Sequence, residues 1–199
     1  MKRIYVDMDG VLCDFSKARK AELERDPTQA YPQAQFGFWM DLEPIDGAIE
    51  AFNALSTIYD VWILSRPSFD NLNSFTEKAY WVKKYFGPDI LRKLILCRNK
   101  SLLIGDYLID DCVNAHQREF KGQFLHFGQE GLENWAKILK YFCFVKPTNP
   151  FVVGSKVRLI SEHKDQRETK IVFIKGEACV FSDPRAGFYN WNFKDVELV

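Results

Sequence analysis

No stretch of this sequence approaches the roughly 18 consecutive apolar residues of a membrane span, so no membrane-crossing segment is expected. Net charge is missing as well. The 27 Lys and Arg balance 27 Asp and Glu, which removes any general electrostatic case for nucleic acid or an anionic membrane and leaves only local charge at a site. Cysteine is sparse and scattered: Cys13, Cys97, Cys112, Cys143 and Cys179 are odd in number and match neither a zinc spacing nor a disulfide framework. Reduced thiols that fill cores as small hydrophobes are the expectation, and with them a cytoplasmic setting. The three histidines, His116, His126 and His163, lie far apart and read as structural or exposed rather than as ligands. Internal repeats and low-complexity tracts are absent. The first strand begins almost at residue 1, which predicts no signal peptide.

What is present is an ordinary globular composition, 47% hydrophobic and 27% charged, in a chain long enough for one domain with a real core plus a small appendage. The run Ile4-Tyr5-Val6 reads as a buried strand, and it ends in Asp7-Met8-Asp9-Gly10. Residues two apart at a frayed strand end can share a crevice, so one acid could attack while the other moves a proton. Phe15 to Arg25 reads as a helix stopped by Asp26-Pro27. The aromatic stretch Tyr31 to Met40 follows, and Phe15 to Leu42 is expected to form a small cap carrying substrate recognition. Asp46 is placed to cap a helix with Ile49, Phe52 and Leu55 on its apolar face.

Val61 to Leu64 is a second strand, ending in Ser65-Arg66-Pro67. A helix follows over about 71–86, with Leu72, Phe75, Ala79, Val82 and Phe86 on one stripe. Leu94 to Cys97 is the third strand, with Arg98-Asn99-Lys100 after it. Tyr107 to Ile109 is the fourth, ending in Asp110-Asp111, and a strand near Phe124 to Phe127 and a helix through Trp135 complete the pattern. Alternating strands and helices predict an α/β fold, a doubly wound parallel sheet over residues 1–145. Two prolines in 146–150 mark a linker. Residues 151–199 carry short strand-like runs without a helical stripe, which predicts a small all-β, SH3-like barrel whose Phe181, Phe188, Tyr189, Trp191 and Phe193 form its own core.

In a parallel sheet the strand ends share one edge. Asp7, Asp9, Asp110 and Asp111 gathered there would repel one another unless a cation sat among them, and oxygen-only ligands point to Mg²⁺. Ser65 and Lys100 beside such a cation suit a phosphoryl group. Lys78 is the rival lysine, but its mid-helix place beside Glu77 predicts a solvent-facing side chain.

These four segments resemble, in order, the four motifs of the haloacid dehalogenase superfamily of phosphotransferases: Asp7-Met8-Asp9-Gly10-Val11, Ser65, Lys100 and Asp110-Asp111. Asp7 through Phe15, Leu42-Glu43-Pro44, Glu77 through Asp89, Arg98-Asn99-Lys100 and Leu108 through Asp111 are similar to the 5'(3')-deoxyribonucleotidases. Three features depart from that family: Ser65-Arg66-Pro67 stands where it has Thr-Ser-Pro, the cap is short, and the C-terminal module is extra. The resemblance implies that Asp7 attacks phosphorus and that Asp9 protonates the leaving oxygen, then activates water. It implies Mg²⁺ on Asp7, the Asp9 carbonyl and Asp111, with Asp110 orienting Lys100 or a metal water. It places Ser65, Arg66 and Lys100 at the phosphate and Phe15, Phe38 and Trp39 at the base. The expected substrate is a small phosphate ester, a deoxynucleoside monophosphate before another small ester or a nucleic-acid end. A scaffold acting through the C-terminal module is the non-enzymatic alternative, and a homo-oligomer is left open.

Overall fold

The computed structural model describes residues 1–142 and, beyond them, the backbone of five strands. Strands β1 (Arg3–Val6), β2 (Asp60–Ser65), β3 (Leu94–Leu96), β4 (Tyr107–Asp110) and β5 (Gln123–His126) form one parallel sheet in the order β3-β2-β1-β4-β5. Helices α1 (Phe15–Arg25), α2 (Ala48–Ser56), α3 (Ser74–Phe86), α4 (Pro88–Leu91), α5 (Ala115–Arg118) and α6 (Trp135–Tyr141) alternate with these strands. The alternation follows from composition: the central strands are continuous apolar runs, as a sheet covered on both faces demands. Ile4, Val6, Val61, Ile63, Leu64, Leu108 and Ile109 are all fully buried.

The chain divides into two compact units, residues 1–49 with 59–133, and residues 50–58 with 134–199. The first contains the whole parallel sheet. One of its cores gathers Tyr5, Leu64, Leu108 and Phe120, with Trp62, Ile95, Leu103 and Phe124 against them. Tyr5 meets Phe120 edge to face at 6.1 Å. In the second unit, β6 (Lys156–Leu159), β7 (Glu168–Lys175), β8 (Ala178–Phe181), β9 (Trp191–Asn192) and β10 (Val196–Leu198) pair antiparallel in the order β10-β6-β7-β8-β9. The expected linker 146–150, the side chains expected to fill a barrel, and Cys143 lie outside the described residues.

Strand order decides where a site can form. From β1 the chain moves to β2 and β3 on one side, and β4 and β5 lie on the other. The crevice between the carboxyl ends of β1 and β4 is therefore the switch point at which open parallel sheets bind ligands. Val6 is paired with Ile63 on β2 and Ile109 on β4, so Asp7 emerges at the level of Leu64 and Asp110.

Two expectations need correction. The buried face of α3 is Ser74, Glu77, Lys78, Trp81 and Val82, whereas Leu72 lies outside the helix and exposed, and Phe75 is exposed. Val82 is buried as expected, but polar residues hold much of this face because it looks onto the site, so reading it by hydrophobicity alone turned the start of the helix away from its buried side. Among the cysteines, Cys13 is buried as expected but Cys112 is exposed, since it follows the acidic strand end. No helix of the described residues is long and apolar enough to cross a membrane.

At the opposite, amino-terminal edge of the sheet, Asp60 accepts from Arg3 Nε at 2.8 Å and from Lys93 Nζ at 3.0 Å. Burial opposes its ionisation, yet the indole of Trp62, Arg3 and Lys93 around it bring its carboxyl down to about 2. The unfolded chain takes up this proton near pH 4 and the fold only near 2, so the stabilisation is present above about pH 4 and is lost as pH falls through about 2. Asp60→Asn should cost on the order of 1 kcal/mol at pH 7. Urea unfolding at pH 7 and again near pH 2 checks this, the difference between variant and wild type vanishing at the lower pH.

Candidate active site

The loop that leaves β1 is wound tightly around one carbonyl. Met8 O accepts from the backbone N–H of Leu12 at 2.8 Å and of Cys13 at 2.9 Å, while Gly10 N–H donates to Cys13 O at 2.9 Å. The turn requires a left-handed residue, and Gly10 supplies it at φ 74°. A Cβ there would sit 2.2 Å from Asp111 Oδ2. Glycine thus lets the first acidic loop approach the second.

Asp7 is buried at the strand end. Lys100, at the start of a single 3₁₀ turn (Lys100–Leu102), places its Nζ 2.8 Å from Asp7 Oδ1 and 2.6 Å from Asp110 Oδ2. The contact with Asp7 lacks hydrogen-bond alignment, so this buried Oδ1 keeps unused acceptor capacity. Asp110 is saturated: Oδ2 also accepts from Gln117 Nε2 at 2.9 Å, and Oδ1 accepts from Cys112 N–H at 2.9 Å. Asp111 is exposed and its carbonyl lies 2.9 Å from His126 Nε2.

Asp7, Asp110 and Asp111 each bring a carboxylate oxygen within 4.8 Å of the others. This spacing fits a single cation with oxygen ligands at a little over 2 Å. The unsatisfied Asp7 oxygen and the absence of nitrogen or sulfur donors in the group fit a hard divalent ion such as Mg²⁺. Electrostatics point the same way. Burial pushes Asp7 up to about 7, Lys100 opposes this, and the Asp110 and Asp9 charges add to it. Burial and Asp110 raise Asp111 too. Burial draws Lys100 down, but Asp7 and Asp110 more than offset it, so its ammonium is held above the usual lysine range.

A second group of polar side chains faces the first across the strand ends. Lys78 Nζ lies 2.5 Å from Asp9 Oδ2 and 3.1 Å from Ser65 Oγ. Lys78 is fully buried, which corrects the expectation that it faces solvent. The sequence did carry a signal: Ser74, Lys78, Trp81 and Val82 share one face at helical spacing, and a lysine in line with a tryptophan on such a face is buried only if an acid meets it. Asp9 Oδ1 accepts from Trp39 Nε1 at 3.0 Å.

The aromatic residues named from sequence do assemble. Phe15 and Phe38 meet at 5.4 Å, Phe38 and Trp39 at 5.2 Å, and Trp39 stacks on Phe15 at 6.3 Å. Glu77, also buried, clamps their loop by accepting from the backbone N–H of Gly37 at 2.8 Å and of Trp39 at 3.2 Å. Glu77 was not singled out from sequence, because a carboxylate that serves backbone donors has no side-chain pattern to betray it. Arg66 is exposed one residue beyond Ser65.

A family model described as "5' nucleotidase, deoxy (Pyrimidine), cytosolic type C protein" matches residues 24–137. The chain belongs to this family. A Vibrio phage KVP40 protein provisionally named a 5'(3')-deoxyribonucleotidase is 34% identical over 140 residues, covering 69% of this chain and 82% of that one. The cytosolic-type 5'(3')-deoxyribonucleotidase of Homo sapiens is 31% identical over 172 residues, covering 71% and 80%. The human mitochondrial 5'(3')-deoxyribonucleotidase is 33% identical over 141 residues, covering 55% of this chain and 61% of its own.

Two outcomes follow from the charges of this deoxyribonucleotidase-family site. Between about pH 4 and 7 the ion-free fold holds the Asp7 proton that the unfolded chain has released, so its stability falls as pH rises through that window. A divalent ion bound by Asp7 would have to displace that proton. Thermal unfolding should therefore show a larger Mg²⁺-induced rise in Tm at pH 7.5 than at pH 5. Lys100→Met strands two buried carboxylates and should cost about 3 kcal/mol or more in urea unfolding without divalent ions.

Proposed function

We infer that this chain is a Mg²⁺-dependent phosphatase that hydrolyses nucleoside monophosphates, deoxynucleotides foremost, through an aspartyl-phosphate. One observation carries the reading: the convergence of Asp7, Lys100, Asp110 and Asp111 on one side and Asp9, Lys78 and Ser65 on the other, around the carboxyl end of β1. The names of the relatives support the substrate class.

In this reading Asp7 is the nucleophile. It lies at the end of β1, between Lys100 and the acidic end of β4, where one carboxylate oxygen could meet the cation and the other the phosphorus. Lys100, 2.8 Å away, offsets its charge. Ser65 Oγ and Lys78 Nζ, 3.1 Å apart, form a donor pair for phosphate oxygens, with Lys100 adding charge and Arg66 reaching the rim. Asp9 protonates the leaving nucleoside oxygen and then takes a proton from the water that hydrolyses the phosphoaspartate. Asp7, Asp111 and the Asp9 carbonyl would hold Mg²⁺, while Asp110, already saturated, positions Lys100. Bound there, the ion would offset the charge of phosphate and carboxylates together. Phe15 and Phe38, half-buried and backed by the buried Trp39, offer flat apolar surface to the base, which favours a nucleotide over a sugar phosphate.

The same reading assigns residues 1–145 to catalysis, with 15–42 as the cap, 146–150 to a linker and 151–199 to a barrel-like module. It places the protein in the cytoplasm, in keeping with its scattered thiols.

Asp7→Asn should lower phosphate release from deoxynucleoside monophosphates by at least ~10³-fold with the circular dichroism spectrum retained, and chelation of divalent ions should do the same reversibly. A panel of nucleotides, sugar phosphates and 5'-phosphorylated oligonucleotides tests the substrate class. Turnover confined to sugar phosphates or to oligonucleotide ends would overturn the nucleotide assignment.

A further inference from the structure

We propose that Trp39 is a positioning residue for Asp9, its indole N–H aiming the proton-transferring carboxylate while its buried ring backs the Phe15 and Phe38 wall of the base pocket. This rests on the phosphatase reading above and goes beyond it in giving one residue two separable duties.

Asp9 needs its direction set from outside its own strand. It stands on a turn, with its side chain partly open to solvent, and nothing in the strand fixes its rotamer. Three donors do so instead. Lys78 holds Oδ2 at 2.5 Å, and Oδ1 receives Trp39 Nε1 at 3.0 Å and the weak donor Cys13 Sγ at 3.7 Å. Lys78 also reaches Ser65, so it faces the place where phosphate oxygens bind. A phosphate dianion arriving there competes for the Lys78 ammonium, and the hold on Oδ2 weakens as substrate binds. The indole N–H is not shared in this way. It remains on Oδ1 through the reaction, and the bond strengthens as Asp9 gives up its proton and its carboxylate becomes charged.

Trp39 is itself fixed for the task. Its ring is buried, stacks on Phe15 at 6.3 Å and meets Phe38 edge-on at 5.2 Å. Lys78 Nζ lies 4.8 Å over the same ring. Its backbone N–H is held by Glu77, the residue next to Lys78 on α3. Adjacent positions of one helix thus hold the donor and the acceptor of the Trp39–Asp9 bond. A wall for a base needs only the ring, so the directed N–H is an added function. Seating of the base against the wall and aim of the proton are thereby set by one side chain.

The experiment compares wild type, Trp39→Phe and Trp39→Leu with Mg²⁺ present. Trp39→Phe keeps an aromatic wall and removes the donor. It should lower kcat on a deoxynucleoside monophosphate about tenfold, the worth of a charged hydrogen bond, with KM changed less than about threefold. Trp39→Leu should raise KM as well. In single turnovers the loss in Trp39→Phe should be about fivefold or more greater for the nucleotide than for p-nitrophenyl phosphate, whose leaving group departs without a proton. A kcat within about twofold of wild type, or equal losses on both esters, would overturn the proposal.

An arm without turnover keeps it distinct from the phosphatase reading. The Trp39 indole proton should resonate downfield in wild type and move upfield in Asp9→Ala. An unmoved resonance refutes the bond even if the enzyme is active, while an inactive wild type with the shift intact refutes the phosphatase reading and leaves the contact standing.

Discussion

The Lys100 ammonium, set between Asp7 and Asp110, is the interaction on which the rest of this structure depends. Two buried carboxylates at neighbouring strand ends cannot both stay ionised in a dry crevice without a cation. Lys100 supplies one positive charge among the three carboxylates of Asp7, Asp110 and Asp111. Burial, with the neighbouring acids adding to it, keeps Asp7 high in pKa against the opposing pull of Lys100. The fold is stable enough to hold this unbalanced group, and the remaining charge is what a divalent ion and a phosphate together can settle. Structure and function meet in that residual charge: a fully compensated cluster would be more stable and would have no use for a ligand.

The sheet topology makes the cluster unavoidable. With β1 between β2 and β4, the residues that follow each strand converge whatever the helices do. Helix α3 then adds what the strands cannot. Its buried polar face brings Glu77 to the aromatic loop and Lys78 to Asp9 and Ser65. The aromatic loop is held by these contacts and by Trp81 Nε1 donating to Leu42 O at 2.8 Å. One helix thus holds both the aromatic loop and the Asp9 and Ser65 side chains.

Much of this was legible in the residues themselves. The strands from Ile4, Val61, Leu94 and Tyr107 are apolar runs closed by polar residues, and that pattern alone sets both the parallel sheet and the edge at which Asp7, Ser65, Lys100 and Asp110 appear. The place of Lys100 at this edge was readable from its position after the third strand, while its pairing with Asp110 was what the family resemblance implied. Lys78 was not readable by the same rule. On a helix, a lysine beside a glutamate ordinarily means a solvated surface, and hydrophobic periodicity turned α3 toward Leu72 and Phe75. Burial of a charge is decided by the partner it meets, and the partner, Asp9, lies 69 positions away.

Sequence by itself determined the local terms: which runs extend, where glycine must turn the chain, and which strands end in acid. These depend on neighbours a few residues apart, and their physics is short-ranged. Tertiary structure decided the long-range ones. Only the folded chain shows that the Asp7 oxygen lacks an aligned donor, that Asp110 is saturated by Lys100, Gln117 and Cys112, and that the Trp39 indole points at Asp9. Hydrogen bonds are fixed to within a fraction of an ångström, and no pattern of residue types encodes a distance that fine.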